Sequence, residues 1–385
     1  MDDILTDESI AVRPTTAWVD LQALRSNFQA IRNHVGNTKI MAIVKANAFG
    51  HGLLRIAQTL EELGTDQLGV AFLEEGIALR KAGIRCPILV LGGIIGNQIS
   101  YFLKHELQLT ASSVFKVEQI DAAAAQMGVR AKIHLKIDTG MKRIGVRWEN
   151  ADALFEAALA AQNCDIQGVF SHFASSDSPA KENANEQIDR FEEALSFFER
   201  KGLETPPRHI SNSGAILQHP RANYEMVRPG CLLYGFYPSH QVERTIEVTP
   251  VLTLKSRVVY FKQVPKSHAV SYDGQWTASR DTRVVTVPVG YGDGFPRGLS
   301  GQARVIINGK QYPIVGNITM DALMVDIQDD SAFNGDEVVL LGRQDSQIIR
   351  VEDLAQMLGT IPYEILTSIN TRVPRRYLDA SASES

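Results

Sequence analysis

The chain is expected to fold as an α/β protein, an N-terminal (β/α)8 TIM barrel followed by a C-terminal, mostly antiparallel β domain. Three observations lead there. From about residue 38 to 236, eight short β-branched runs alternate with amphipathic helical stretches. After Pro250 the rhythm changes, and strand-like runs follow one another with turns between them. The length of 385 residues also exceeds what a single hydrophobic core usually carries. The expected division is 1–248 for the barrel with an N-terminal extension, and 249–385 for the β domain.

In chain order, the barrel strands are expected at Lys39–Ala46, Gln67–Phe72, Pro87–Gly92, Leu107–Ser112, Ala131–Asp138, Asp165–Phe173, Arg208–Asn212 and Met226–Gly235. Helical patterns lie between them. In His51–Leu63, for example, Leu53, Ile56, Ala57, Leu60 and Leu63 fall on one face. An open doubly wound sheet would show the same alternation. In the second domain, Val251–Val264, Thr282–Val289, Ala303–Val315, Ala322–Ile327 and Glu337–Leu341 read as strands, and Asn308-Gly309 is a hairpin turn. A single short helix is expected at Val351–Leu358, followed by a disordered polar tail, Ala380–Ser385.

Composition narrows the function. A net charge of −5, with 44% hydrophobic and 22% charged residues, argues against a nucleic-acid binder, which would carry a basic stripe. Cys86, Cys164 and Cys231 are far apart and odd in number, so neither a disulfide framework nor a CxxC metal site is expected. The start, Met1 to Glu8, is acidic and lacks an apolar signal region, and no stretch offers ~18 uninterrupted apolar residues. A cytoplasmic protein with no membrane partner is the expectation. No HExxH, GxSxG or GxxxxGK motif occurs.

Three segments carry chemistry. Lys45 closes an apolar strand at the carboxyl end, where a barrel holds its active site, and burial there would favour the neutral amine that attacks an aldehyde. A lysine that snorkels to solvent is the plainer alternative. Alternation puts His134, Lys136 and Asp138 on one face, pointing either into the barrel or toward ordinary ion pairs outside it. Ser211-Asn212-Ser213-Gly214 and Val227-Arg228-Pro229-Gly230-Cys231 fall at strand ends seven and eight, where barrels commonly cradle a phosphate. A helix cap and a turn would explain each segment separately.

Taken together, Val44 through Gly52, Lys136 through Arg143, Phe170 through Ala174, Asn212-Ser213, Arg228-Pro229-Gly230, Val270-Ser271-Tyr272, Gly290 through Gly294, Gly316 through Asp321 and Arg372 through Arg375 make the chain resemble the alanine racemases. The likeness covers nearly all of it. The resemblance implies pyridoxal 5′-phosphate as cofactor, carried on Lys45, and interconversion of L- and D-alanine that supplies D-alanine for peptidoglycan. Tyr272 is implied as the second acid/base. Inverting a carbon requires one group to take its proton on one face and another to return a proton on the other. His172 is implied near the network of Tyr272, and Arg228 at the pyridine nitrogen, where a group that donates only would leave that nitrogen unprotonated. Cofactor contacts carried over are Asn212, Ser213, Gly230, Cys231 and Tyr363; substrate contacts are Arg143 and Met320.

Lys136 matches a lysine that is carbamylated in many relatives. Phe49 departs from the pattern, standing where the family has a tyrosine that reaches the phosphate. The resemblance further implies a homodimer in which Tyr272 and Met320 complete the partner's site. A racemase of broader substrate range, a barrel-type decarboxylase and a non-catalytic pyridoxal-phosphate protein remain as alternatives, the last opposed by the whole second domain.

Overall fold

The structure, a computed structural model, describes residues 12–379. The acidic start and the tail Ala380–Ser385 lie outside the described residues.

Eight parallel strands close a barrel, in the order Lys39–Ile43, Gln67–Val70, Ile88–Val90, Leu109–Ala111, Ala131–Asp138, Cys164–Phe170, Arg208–His209 and Met226–Val227. Two features settle barrel against open sheet. Met226–Val227 pairs back onto Lys39–Ile40, and parallel bridges Leu89 to Gln108 and Asn212 to Arg228 link the two arcs. Most of these strands are shorter than the expected runs, because the residues beyond each strand turn across the mouth. Met226–Gly235, for instance, is strand only for its first two residues, and Gly230 to Gly235 form tight turns.

The C-terminal half forms a ten-stranded sheet. Its pairings are antiparallel except one. That one joins Thr16–Asp20 to Arg375–Leu378, while the other edge of Thr16–Asp20 pairs with Leu252–Arg257. The expected division put Thr16–Asp20 with the barrel; its hydrogen bonds lie inside the other sheet. Asp20 then caps the first helix, Leu21–Val35, by accepting from the N–H groups of Gln22 and Ala23 at 2.8 and 2.9 Å.

Val251–Val264 divides into Leu252–Arg257 and Tyr260–Val264, which occupy separate places in the sheet. The hairpin turns at Asn308-Gly309 as expected, both residues having positive φ. Val351–Leu358 is helical, but it is not the single helix of this half: Pro362–Ser368 forms a second one. Tyr363 therefore lies on a helix. One apolar cluster runs through both halves, from Leu24 and Ile40 to Leu252 and Val339. Among the described residues no helix is long and apolar enough to cross a membrane.

Candidate active site

Lys45 follows the first barrel strand and opens a turn of unusual shape. Ala46, Asn47, Ala48 and Phe49 all have φ between 53° and 54°, a left-handed turn built without glycine. Each such residue costs about 1–2 kcal/mol relative to the right-handed form. Hydrogen bonds offset that cost. The Ala46 N–H donates to Glu75 Oε1 at 2.6 Å, and the Leu53 N–H donates to Asn47 Oδ1 at 2.8 Å. His51 Nδ1 lies 3.0 Å from the carbonyls of both Ala48 and Phe49. The turn is also clamped by the second domain: Arg375 Nε donates to the Gly50 carbonyl at 2.9 Å, and a Cβ on Gly50 would overlap the Leu366 carbonyl.

The amine of Lys45 is held below the usual lysine range, first by burial and then by Arg143, against an opposing pull from Glu75. It stands where two cavities share a wall formed by Ile43, Lys45, Arg143, His172, Asn212 and Arg228. One cavity, of about 550 Å3, continues to Ser213, Gly230, Cys231 and Tyr363. The other, of about 510 Å3, reaches Phe72, Lys136 and Ile144.

Lys136 is buried, so the polar face of its strand points inward rather than to outer ion pairs. Burial, then Arg228 and Arg143, push its amine well below the usual range, and it lies 4.4 Å from the centre of the Phe170 ring. His172 is half-buried, and its proton affinity falls well below the ordinary value, first through desolvation and then through Arg228, Lys136, Arg143 and Lys45. It is neutral at neutral pH. Burial alone lowers Arg228 to about 9, which leaves it charged. Arg228 Nη1 donates to the His209 carbonyl at 2.7 Å, and Nη2 donates to the carbonyls of Ser171 and Ile210 at 2.8 and 3.1 Å. Among the described residues, none of Lys45, Lys136, Arg143 and Arg228 forms an ion pair within 4 Å. Two guanidiniums without an ion partner, Arg143 and Arg228, beside two lysines of lowered basicity make a site for an anionic ligand.

Where the larger cavity leaves the shared wall, Asn212 caps the helix Ser213–Gln218 through its Oδ1, which accepts from the Ala215 N–H at 3.1 Å and from Ser176 Oγ at 2.6 Å. The Gly230 N–H donates to Ser213 Oγ at 2.8 Å. The Cys231 thiol faces the Ser213 and Tyr363 hydroxyls, and burial pushes it up to about 11. Phe49 packs its ring 4.8 Å from that of Tyr234 and 5.6 Å from that of Tyr363. A Cβ on Gly230 would sit 3.1 Å from the Phe49 Cζ, the atom from which a tyrosine hydroxyl would extend.

Tyr272 and Met320 are not in this group. Neither lines the cavities of Lys45, and they are 70% and 52% exposed. They belong to a second cluster on the β domain. Ser271, at φ 71°, donates from Oγ to the Asn317 carbonyl at 2.8 Å, and Asn317 Nδ2 donates to the Tyr272 carbonyl at 3.1 Å. The Tyr291 and Gly292 N–H groups donate to the carbonyls of Thr319 and Met320 at 3.1 and 2.9 Å. Arg372 bridges Asp321 and Asp293 at 2.7 and 3.2 Å. Four motifs distant in sequence thus form one surface.

Sequence reasoning missed Glu75, Asn317 and Asp293. Glu75 had a signal, as an acid three residues into a helix; its Oε2 accepts from the Ala71 and Phe72 N–H groups at 2.8 and 3.2 Å. Asn317 and Asp293 were quoted within motifs, without roles.

Comparison with known proteins comes out uniformly. The family "Alanine racemase, N-terminal domain" matches residues 19–238, and "Alanine racemase, C-terminal domain" matches 251–377. The alanine racemase of Halothermothrix orenii is 41% identical over 367 residues, covering 95% of this chain and 97% of its own. A solved alanine racemase from Streptomyces coelicolor superposes with a TM-score of 0.91 at 37% identity, over 96% of this chain and 99% of its own. A histidine racemase from Leuconostoc mesenteroides has a TM-score of 0.87 at 28% identity, over 96% and 99%.

Proposed function

The chain belongs to the alanine racemase family, and on that premise we propose that it interconverts L- and D-alanine with pyridoxal 5′-phosphate, Lys45 and Tyr272 being the two proton-transfer groups. The observation that carries this reading is the Lys45 amine, its basicity lowered, at the junction of two cavities whose shared wall holds the Arg143 and Arg228 guanidiniums. Relatives about 40% identical are alanine racemases, whereas the histidine racemase is more distant.

The donor set fits the cofactor. Lys45 would hold its aldehyde, since only a neutral amine attacks one. The Ser213 and Tyr363 hydroxyls, the Cys231 thiol, the Gly230 backbone and Asn212 would hold its phosphate, and Arg228, a donor only, would face the ring nitrogen. When bound, pyridoxal phosphate supplies a conjugated ring that draws charge away from the α-carbon of the substrate.

Lys45 takes the α-proton from one face of the substrate and Tyr272 returns one to the other. Arg143 and the Met320 backbone hold the substrate carboxylate, His172 supports the tyrosine side, and Lys136 orients Arg143, as a carbamate where it has captured carbon dioxide. Each site is then completed by a second copy of the chain, which accounts for Tyr272 and Met320 standing exposed and apart from Lys45. The barrel of residues 21–248 and the β domain, residues 249–379 with Thr16–Asp20 joined to its sheet, act as the two domains, the second serving the partner's site. A cytoplasmic location and supply of D-alanine for peptidoglycan belong to the same proposal, consistent with three free cysteines.

Chiral analysis after incubation with L-alanine tests the reaction, with L-histidine as comparison; failure to form D-alanine overturns it. Mixing inactive Lys45→Ala and Tyr272→Phe chains tests the sharing. Shared sites restore one working site per mixed dimer, whereas self-sufficient chains restore none.

A further inference from the structure

Behind Arg228 the barrel interior holds a continuous hydrogen-bonded line that the reaction above does not use. His209 Nδ1 lies 3.0 Å from Arg228 Nη1, His134 Nδ1 lies 2.9 Å from His209 Nε2, and His134 Nε2 lies 2.7 Å from Gln108 Oε1. Gln67 Nε2 then donates to Gln108 Oε1 at 2.6 Å. All five side chains are buried. Gly168 makes room for the line, because a Cβ there would sit 2.9 Å from His134 Nδ1. Phe170 stacks on His209 with ring centres 4.9 Å apart.

The proton positions follow from the donor rules. An arginine only donates, so His209 Nδ1 accepts. A neutral His209 therefore carries its proton on Nε2 and donates to His134 Nδ1. His134 in turn carries its proton on Nε2 and donates to Gln108, which must present its oxygen, and Gln67 must present its nitrogen. That is the order in which the two amides stand. An additional proton on either imidazole would set two N–H groups against each other, and burial already pushes His134 to about 3 and His209 well below its ordinary range.

We infer that Gln108, oriented by Gln67, is a positioning residue: through His134 and His209 it fixes the polarity that holds the Arg228 guanidinium in place. The inference rests on the role proposed for Arg228, and goes beyond it by assigning that role's support to two amides on the opposite side of the barrel. With Gln108→Leu, His134 Nε2–H loses its acceptor, His134 is free to turn or exchange tautomers, and His209 is held against Arg228 from the arginine end alone.

The first test needs no variant. In the full-length chain labelled with 15N-histidine, with and without cofactor, the His134 and His209 signals should each report a single neutral tautomer protonated at Nε2. A proton on Nδ1 of either one, or a cationic ring at neutral pH, overturns the inference. In the holoenzyme, Gln108→Leu should lower kcat ~tenfold, leave KM for alanine within about twofold, and raise pyruvate formation relative to inversion. An unchanged kcat and product ratio would also overturn it. Gln67→Leu should move the same readouts less and serves if Gln108→Leu does not fold. If the wild-type chain does not invert alanine, the proposed reaction fails instead, which the tautomer measurement does not report.

Discussion

The two clusters that the proposed reaction needs are built in opposite ways. Around Lys45, side chains project from short parallel strands into the buried mouth of the barrel, and their geometry is set by packing and by carbonyl acceptors such as those of Ser171, His209 and Ile210. Around Tyr272 the Tyr272 and Met320 side chains are exposed, and order comes from side chains that donate to main-chain carbonyls of neighbouring loops, Ser271 to Asn317 and Asn317 to Tyr272. A buried site can tune the proton affinities of its own groups; an exposed one must wait for a surface to cover it. The difference locates the chemistry that lowers a basicity in the barrel and, under the proposed reaction, assigns the need for a second copy to the β domain.

The comparison can be broken or sharpened by measurement, beginning with the largest effect. Lys45→Ala should reduce racemisation by a factor of ~1000 or more and release the cofactor on gel filtration; retained activity would deny the buried cluster its role. Asn317→Ala should cost about tenfold in kcat by freeing the loop that bears Tyr272, while thermal stability moves by less than about 1 kcal/mol. A large stability loss with intact kcat would show that the exposed cluster is structural.

The third prediction concerns pH. Capture of cofactor by the cofactor-free chain should speed up as Lys45 loses its proton, over a range below that of free lysine, since burial and Arg143 lower it. Glu75 pulls the other way, so Glu75→Gln should move the rise to lower pH; a move upward would contradict the electrostatics of the buried cluster. The smallest effect belongs to Phe49→Tyr, which should tighten cofactor binding by ~1 kcal/mol, about fivefold, through one added hydroxyl beside Tyr363. Unchanged affinity, measured by titration, would mean that the pocket already satisfies the phosphate. Arg228→Glu, by contrast, is a blunt instrument, because its carboxylate would be turned against three carbonyl oxygens.

Much of this was legible in the residues. The barrel alternation and the Asn308-Gly309 hairpin were readable because local patterns produce them. Thr16–Asp20 was not, since its strand partners lie more than two hundred residues away and no local pattern names them. The helix Pro362–Ser368 was missed although proline suits a first helical position. Nothing in Lys-Ala-Asn-Ala-Phe announces four left-handed residues, because only tertiary contacts such as those of Glu75 and Arg375 sustain them. The inward face of His134 and Lys136 was an open alternative that barrel closure decides. The separation of Tyr272 from Lys45 within one chain was implied by the family resemblance alone.

The pairing of Thr16–Asp20 between Leu252–Arg257 and Arg375–Leu378 bears on how the molecule is made. Thr16–Asp20 cannot fill its place in the sheet until Leu252–Arg257, and after it Arg375–Leu378, have been synthesised, each more than two hundred residues later. Trimming the chain before Leu21 would therefore remove an interior rib of the sheet rather than an appendage.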